Sequence, residues 1–271
     1  MISSQSLHNH STFDDGKDTP AAMAEAAFRA GLTGFGLTAH SPMPGEPWTV
    51  APEKMPLFRA GIARLRAQYA GRMQVWCGVE FDLTSERKWL AGADYVIASV
   101  HALETDSGLW ALDDNRDRSR RMILLAFGGD RDAAAEAYFA KVREIADLPE
   151  ADIVGHFDLI TKFDEPEPLY DAASPRYRRA ALDAMEALAR AGKVFEVNTG
   201  AVSRGLRTAP YPDFSLLCAL REMGGRVTVT ADAHSAAHVT FGFDEAEALV
   251  RRAGFRALWA FDGSAFTPQA F

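Results

Sequence analysis

A chain of 271 residues, 48% hydrophobic and 24% charged, has the composition of a folded protein with a sizeable core, which sets aside a disordered tether. A formal net charge of −8, without any long lysine or arginine run, argues against a nucleic-acid partner, because phosphate-backbone binders carry a basic stripe. The apolar stretch Met122 to Phe127 falls far short of the roughly 20 residues a membrane helix needs, and the polar opening carries no signal-peptide pattern, so no membrane partner and a cytoplasmic location are expected.

The recurring unit is a short apolar run, a polar residue at its end, and then an amphipathic segment. The first helix is signalled by Asp18 or Thr19 as N-cap, Pro20 at its first position, a run from Ala21 to Ala30 and Gly31 just beyond. Phe35 to Ala39 reads as a strand that delivers His40, and a helix around Pro52 to Ala70 leads to the run Met73 to Val79, which ends in Glu80. Tyr95 to Val100 ends in His101, Ile153 to Gly155 in His156, Val194 to Val197 in Asn198, and Val227 to Thr230 in Asp232 and His234. Helical stretches fall at about Asp132 to Ala146, Tyr177 to Ala191, Phe214 to Met223 and Asp244 to Ala253, and Ala257 to Phe261 reads as a last strand. Seven or eight alternating strand and helix units predict an α/β barrel of parallel strands with its site at their C-terminal ends. No linker or repeat interrupts the chain, so a single domain over residues 1–271 is expected.

Those strand ends carry ligand chemistry. His8-Asn9-His10 sets two imidazoles at i and i+2, which a strand projects to one side about 7 Å apart. A lone histidine at a strand end is more often a hydrogen-bonding group than a ligand, but six of the seven histidines end apolar runs, and Asp232-Ala233-His234 repeats the alternation. His238 lies off any strand end and reads as a surface or helix-start residue. Glu80, if buried on a central strand, requires a cation beside it. Imidazole and carboxylate without thiolate suit zinc, manganese or iron. Cys77 and Cys218, each in an apolar segment and without CxxC spacing, suggest neither a disulfide nor a thiolate zinc site. Nine ligands, His8, His10, Asp15, His40, Glu80, His101, His156, Asp232 and His234, are too many for one ion and enough for two or three.

The ordered set His8-Asn9-His10, Ser11-Thr12-Phe13-Asp14-Asp15-Gly16, Thr38-Ala39-His40-Ser41-Pro42, Gly78-Val79-Glu80, Ser99-Val100-His101, Gly155-His156-Phe157-Asp158, Glu196-Val197-Asn198-Thr199 and Asp232-Ala233-His234 resembles the PHP (polymerase and histidinol phosphatase) superfamily. The likeness runs from about residue 7 to about residue 243 and is greatest to the histidinol-phosphate phosphatase branch. It implies a distorted (βα)7 TIM-like barrel with a trinuclear zinc, iron or manganese site. By the same resemblance His8, His10, Glu80 and Asp232 bind one ion, Asp15, His40 and His234 a second, and Glu80, His101 and His156 the third, with Glu80 bridging. Asp14 is a neighbouring rival to Asp15. Arg204, Lys162 and Asn198 fall where the family contacts phosphate, with Arg207 a rival to Arg204, and Glu80, Asp232, His234 and Arg204 are the implied catalytic set. The implied reaction is hydrolysis of L-histidinol phosphate, in histidine biosynthesis, by hydroxide formed on the metals. A phosphodiesterase or other phosphoesterase of the same superfamily, an amidohydrolase, and a non-catalytic metal-stabilised module are the alternatives. Glu46, Trp48 and Glu104 are candidates for contacting the alcohol portion of the substrate.

Overall fold

The computed structural model describes residues 4–43, 45–165 and 167–271. The chain opens with β1 (Gln5–Ser6) and passes into α1 (Pro20–Arg29). Thr19 Oγ1 accepts from the N–H of Ala22 at 3.2 Å, so Thr19, not Asp18, is the cap that satisfies a free amide of the first turn. Gly31, at φ 79°, takes the left-handed position that ends the helix. There follow β2 (Gly34–His40), α2 (Met55–Gln68), β3 (Gln74–Asp82) and β4 (Tyr95–Ser99). A hairpin, β5 (Ala102–Thr105) and β6 (Gly108–Ala111), precedes α3 (Arg116–Ala126) and α4 (Arg131–Arg143). The remainder is β7 (Ile153–Val154), α5 (Pro175–Arg190), β8 (Val194–Asn198), α6 (Gly200–Ser203), α7 (Phe214–Glu222), β9 (Arg226–Thr230), α8 (Phe243–Arg252), β10 (Ala257–Phe261) and β11 (Phe266–Ala270).

Seven parallel strands run in the order β1-β2-β3-β4-β7-β8-β9. The two edges meet beyond their last strand residues, where Asn9 bridges Ala233: the His10 N–H donates to Ala233 O at 2.9 Å and the Ala233 N–H to His8 O at 3.2 Å. That contact all but closes the sheet into a barrel and sets His8 and His10 beside Asp232 and His234. Buried apolar side chains fill the space between strands and outer helices, Phe35, Phe58, Phe139 and Phe195 among them. A second cluster, Leu7, Trp76, Tyr95, Ile97, Ile153, Val194 and Phe261, fills the barrel's lower interior.

Several elements depart from the sequence reading, among them α3 (Arg116–Ala126), which it did not place. Ala257–Phe261 is a strand, but it pairs antiparallel with β11 outside the barrel and delivers Phe261 to the floor, where Gln5 Nε2 donates to Phe261 O and the Phe261 N–H returns to Gln5 Oε1. The barrel is thus complete with seven strands, and an eighth apolar run serves as its plug. The β5–β6 hairpin was not anticipated, because its alternation is short and half exposed. Among the described residues no helix is long and apolar enough to cross a membrane.

Candidate metal centre

Glu80 is the hub. It lies near the end of β3, where the register pairs it with His40 on β2, and only 1% of its surface is exposed. Its Oε1 is 3.0 Å from His156 Nε2 and 3.2 Å from His101 Nε2, and accepts from Ser99 Oγ at 2.9 Å. Its Oε2 is 3.0 Å from both His8 Nε2 and His40 Nδ1, and 3.4 Å from His10 Nε2. Five imidazoles delivered by four strand ends, His8 and His10 both following β1, therefore converge on one carboxylate. Asp232 Oδ1 stands 3.2 Å from His10 Nε2, and Asp15 Oδ2 stands 3.0 Å from His234 Nε2. Three ligand-dense groups result, His10–Asp15–His40–His234, His8–His10–Asp232 and His40–Glu80–His101, in each of which the donor atoms lie within 4.8 Å of one another.

An outer ring of carboxylates orients these imidazoles. Glu196 Oε2 is 2.8 Å from His8 Nδ1, Asp14 Oδ2 is 2.8 Å from His10 Nδ1, and Asp82 Oδ2 is 3.3 Å from His101 Nδ1. Asp14 also accepts the backbone N–H groups of Ser11 and His40, and Glu196 those of His156 and the side chain of Thr230. With a proton held on Nδ1 of His8 and of His10, each Nε2 presents a lone pair to the cage, the arrangement by which a second partner fixes a ligand's tautomer. Both Nε2 atoms and Glu80 Oε2 are buried and make no hydrogen bond. Acceptor facing acceptor in a dry interior is unfavourable unless a cation lies between them, so the donor set fits a metal.

The electrostatics point the same way. Burial by itself lowers the pKa of His10, yet Asp14 and Asp232 carry it up to about 10; His8 is likewise raised, against burial, by Glu196 and Glu80. Glu80 and Asp232 are held well below the carboxylate range: burial opposes this, but His40 and His8 outweigh it for Glu80, as Arg204 and His8 do for Asp232. The cage demands positive charge. Asp232 itself has φ 44°, a rare conformation for a residue with a side chain, and a Cβ on Gly200 would come within 2.6 Å of its Oδ2.

All nine expected ligands lie in this cluster, with two refinements. The His10 imidazole belongs to two of the three groups, and His40 also joins Glu80 and His101. Asp15 stands with the ligand atoms while Asp14 is the outer partner of His10. A cavity of 390 Å³ opens above the cluster and is lined by Arg204, Lys162, Asp113, Glu46 and Trp48 as well as the ligands. Arg204 Nη1 is 2.9 Å from His234 Nδ1 and Nη2 is 3.3 Å from Asp232 Oδ2. Arg207 instead bonds Thr161 and stacks over Tyr211, outside that cavity. Asn198, expected at phosphate, is fully buried: its Nδ2 donates to Glu196 and Asp232 and its Oδ1 accepts from Gly200, so both ends of the amide are taken. Glu104 is exposed on β5 and does not line the cavity, and His238 packs against Phe241 away from it. Of the outer carboxylates only Asp14 was named, as a rival ligand; Asp82 and Glu196 were missed, although each sits two residues along a strand from a singled-out residue, Glu80 and Asn198, which puts them on the same face.

Comparison with known proteins decides the family. A model described as "PHP domain" matches residues 6–200. The chain belongs to the PHP family. A Deinococcus radiodurans protein named "Probable histidinol-phosphatase" is 32% identical to this PHP chain over 254 residues, 89% of each. The Lactococcus lactis "Histidinol-phosphatase" is 24% identical over 274 residues, covering 94% of this chain and 93% of that one. A solved Lactococcus lactis histidinol phosphate phosphatase, described as complexed with zinc, L-histidinol and phosphate, superposes with a TM-score of 0.69 at 22% identity, over 97% of this chain and 98% of that one. A Listeria monocytogenes structure superposes with a TM-score of 0.80 at 18% identity, over 89% and 99%. The two structures establish that the barrel is of the PHP fold.

Proposed function

We propose that this PHP chain is a histidinol-phosphatase that hydrolyses L-histidinol phosphate to L-histidinol and phosphate. The carrying observation is likeness along nearly the whole chain to proteins of that name, 32% identical in one case, in a chain that gathers all nine ligand residues in one cage. Two or three divalent ions, zinc, iron or manganese, fit its charge. Seven carboxylates, Asp14, Asp15, Glu80, Asp82, Asp113, Glu196 and Asp232, stand in the cage and around it and outnumber the fixed cations nearest them, Lys162 and Arg204.

Bound divalent ions supply Lewis-acid polarisation of the phosphoryl group and a water acidic enough to attack it near neutral pH. The chain's own residues do the rest. Glu80, beside five imidazoles, would be the carboxylate that helps to hold them. Arg204 presents its guanidinium from beside Asp232 and His234, and Lys162 its ammonium from beside Asp113, to take up phosphoryl charge, the largest contribution a protein makes to this reaction. His234 is held below the usual imidazole range, by burial first and then by neighbouring His10. Asn198 keeps Asp232 and Glu196 apart and oriented from behind.

The test is phosphate release from L-histidinol phosphate, p-nitrophenyl phosphate and a bis-p-nitrophenyl diester, with and without a chelator. Histidinol phosphate ahead by orders of magnitude in kcat/KM, with chelation abolishing it, supports the reading. A preferred diester assigns the chain to another PHP phosphoesterase. Arg204→Ala is expected to lower kcat/KM by about 10²–10³ in the same assay.

A further inference from the structure

The cavity over the cage is unevenly charged. Arg204 lies against Asp232 and His234. Asp113, just beyond β6, lines the same cavity beside Lys162, whose Nζ donates to the Asp113 carbonyl at 3.0 Å and to its Oδ2 at 3.2 Å. Asp113 Oδ1 makes no hydrogen bond among the described residues. Burial pushes this carboxyl up, but Lys162 and His101 outweigh it and hold it at about 2, so it is ionised. Two further acids line the wall, each with one oxygen taken: Glu46 Oε2 accepts the Trp48 indole N–H at 2.8 Å, and Asp114, whose side chain is 49% exposed against 24% for Asp113, accepts from Arg118 at 3.2 Å. Trp48, held by Glu46, stands edge-on to His40 with ring centres 4.7 Å apart and 5.4 Å from that of His101.

A phosphate ester whose phosphoryl group meets the ligands and Arg204 therefore has an aromatic wall and a spare carboxylate oxygen left for its alcohol portion. We infer that Asp113 is the counter-charge for an ammonium group on the leaving alcohol, and that it makes the site prefer amino-alcohol phosphates over neutral alkyl phosphates. A charge-assisted hydrogen bond to Oδ1 forms with an ammonium and with no methyl, and in this recess its charge is screened less than in water. Lys162 contributes by keeping Oδ2 occupied and the carboxylate in place. Removing Asp113 also frees Lys162, which alters phosphate binding for any ester, so the informative quantity is a ratio between esters and not a rate. The inference rests on the phosphomonoester reading of the site, but not on histidinol as the alcohol.

O-Phosphoethanolamine and propyl phosphate differ by an ammonium in place of a methyl and isolate that ratio. For the metal-loaded wild type, kcat/KM is expected to favour phosphoethanolamine by about tenfold or more. Asp113→Asn should bring the ratio to about one, and Asp113→Glu should retain part of it, with melting temperature and metal content confirming that each variant is folded and loaded. A wild-type ratio near one, or a ratio unchanged in Asp113→Asn, overturns the assignment. An equal fall for both esters overturns it too, and leaves Asp113 as a positioning residue for Lys162. Failure of the underlying reading has a separate signature, a diester hydrolysed while neither monoester is, and it takes this assignment with it.

Discussion

Toward the N-terminal ends of the strands the barrel is plugged by Leu7, Trp76, Tyr95, Ile97, Ile153, Val194 and Phe261; toward the C-terminal ends, roughly 10–13 Å further along most of the same strands, the lumen holds imidazoles and carboxylates at similar burial. The floor satisfies itself. Phe261 rings against Trp76 and Tyr95 at 5.4 and 5.2 Å, and each of these side chains gains its stabilisation from leaving water. The roof does not. Its lone pairs face one another and its acids outnumber its cations, so its order depends on what it binds and on the outer carboxylates that aim each ring. The contrast teaches that the floor carries folding stability while the roof carries chemistry at a cost to stability.

Three variants press on that contrast. Glu80→Gln, at the hub, is expected to lower kcat/KM by at least about 10³ and to lose metal, read by elemental analysis. Full metal content in this variant would mean that the roof holds its ions without the hub carboxylate. Phe261→Ala should do the reverse: urea unfolding should show a loss of about 3–5 kcal/mol, with kcat/KM at low temperature within a few-fold of wild type. Activity lost in proportion to stability would merge the two regions. Glu196→Gln keeps its shape but weakens its hold on His8 Nδ1, and should loosen metal by about 10–100-fold in chelator competition. An unchanged affinity would reduce the outer ring to packing.

Much of the roof was legible, because a ligand at the end of an apolar run combines two signals, a strand and a polar residue without a polar neighbourhood. His40 after Phe35 to Ala39 and Glu80 after Met73 to Val79 are the plainest cases. The nine candidate ligands could be named from the sequence, but their grouping could not: His10 belonging to two clusters depends on strand tilt and on the Asn9–Ala233 contact, which no local pattern encodes. Asn198 misled for a related reason. Its position at the end of β8 matches that of a ligand, yet its amide is turned back toward Glu196 and Gly200. The floor was read in part, with Ala257–Phe261 identified as a strand but not as a plug, since an apolar run looks the same whether it joins a ladder or fills a lumen.

The meeting of Asn9 with Ala233 has a temporal side. His8 and His10 leave the ribosome well before the carboxylate and imidazole they stand beside, Asp232 and His234, which come more than 200 positions later, as the separation of 219 between Asp15 and His234 records. While the chain is still being made, the early imidazoles have no full complement of donors, and any ion they catch is held by a fragment of the final set. Complete loading has to wait until the two edges of the sheet touch, so a full metal complement marks a molecule whose ring has shut.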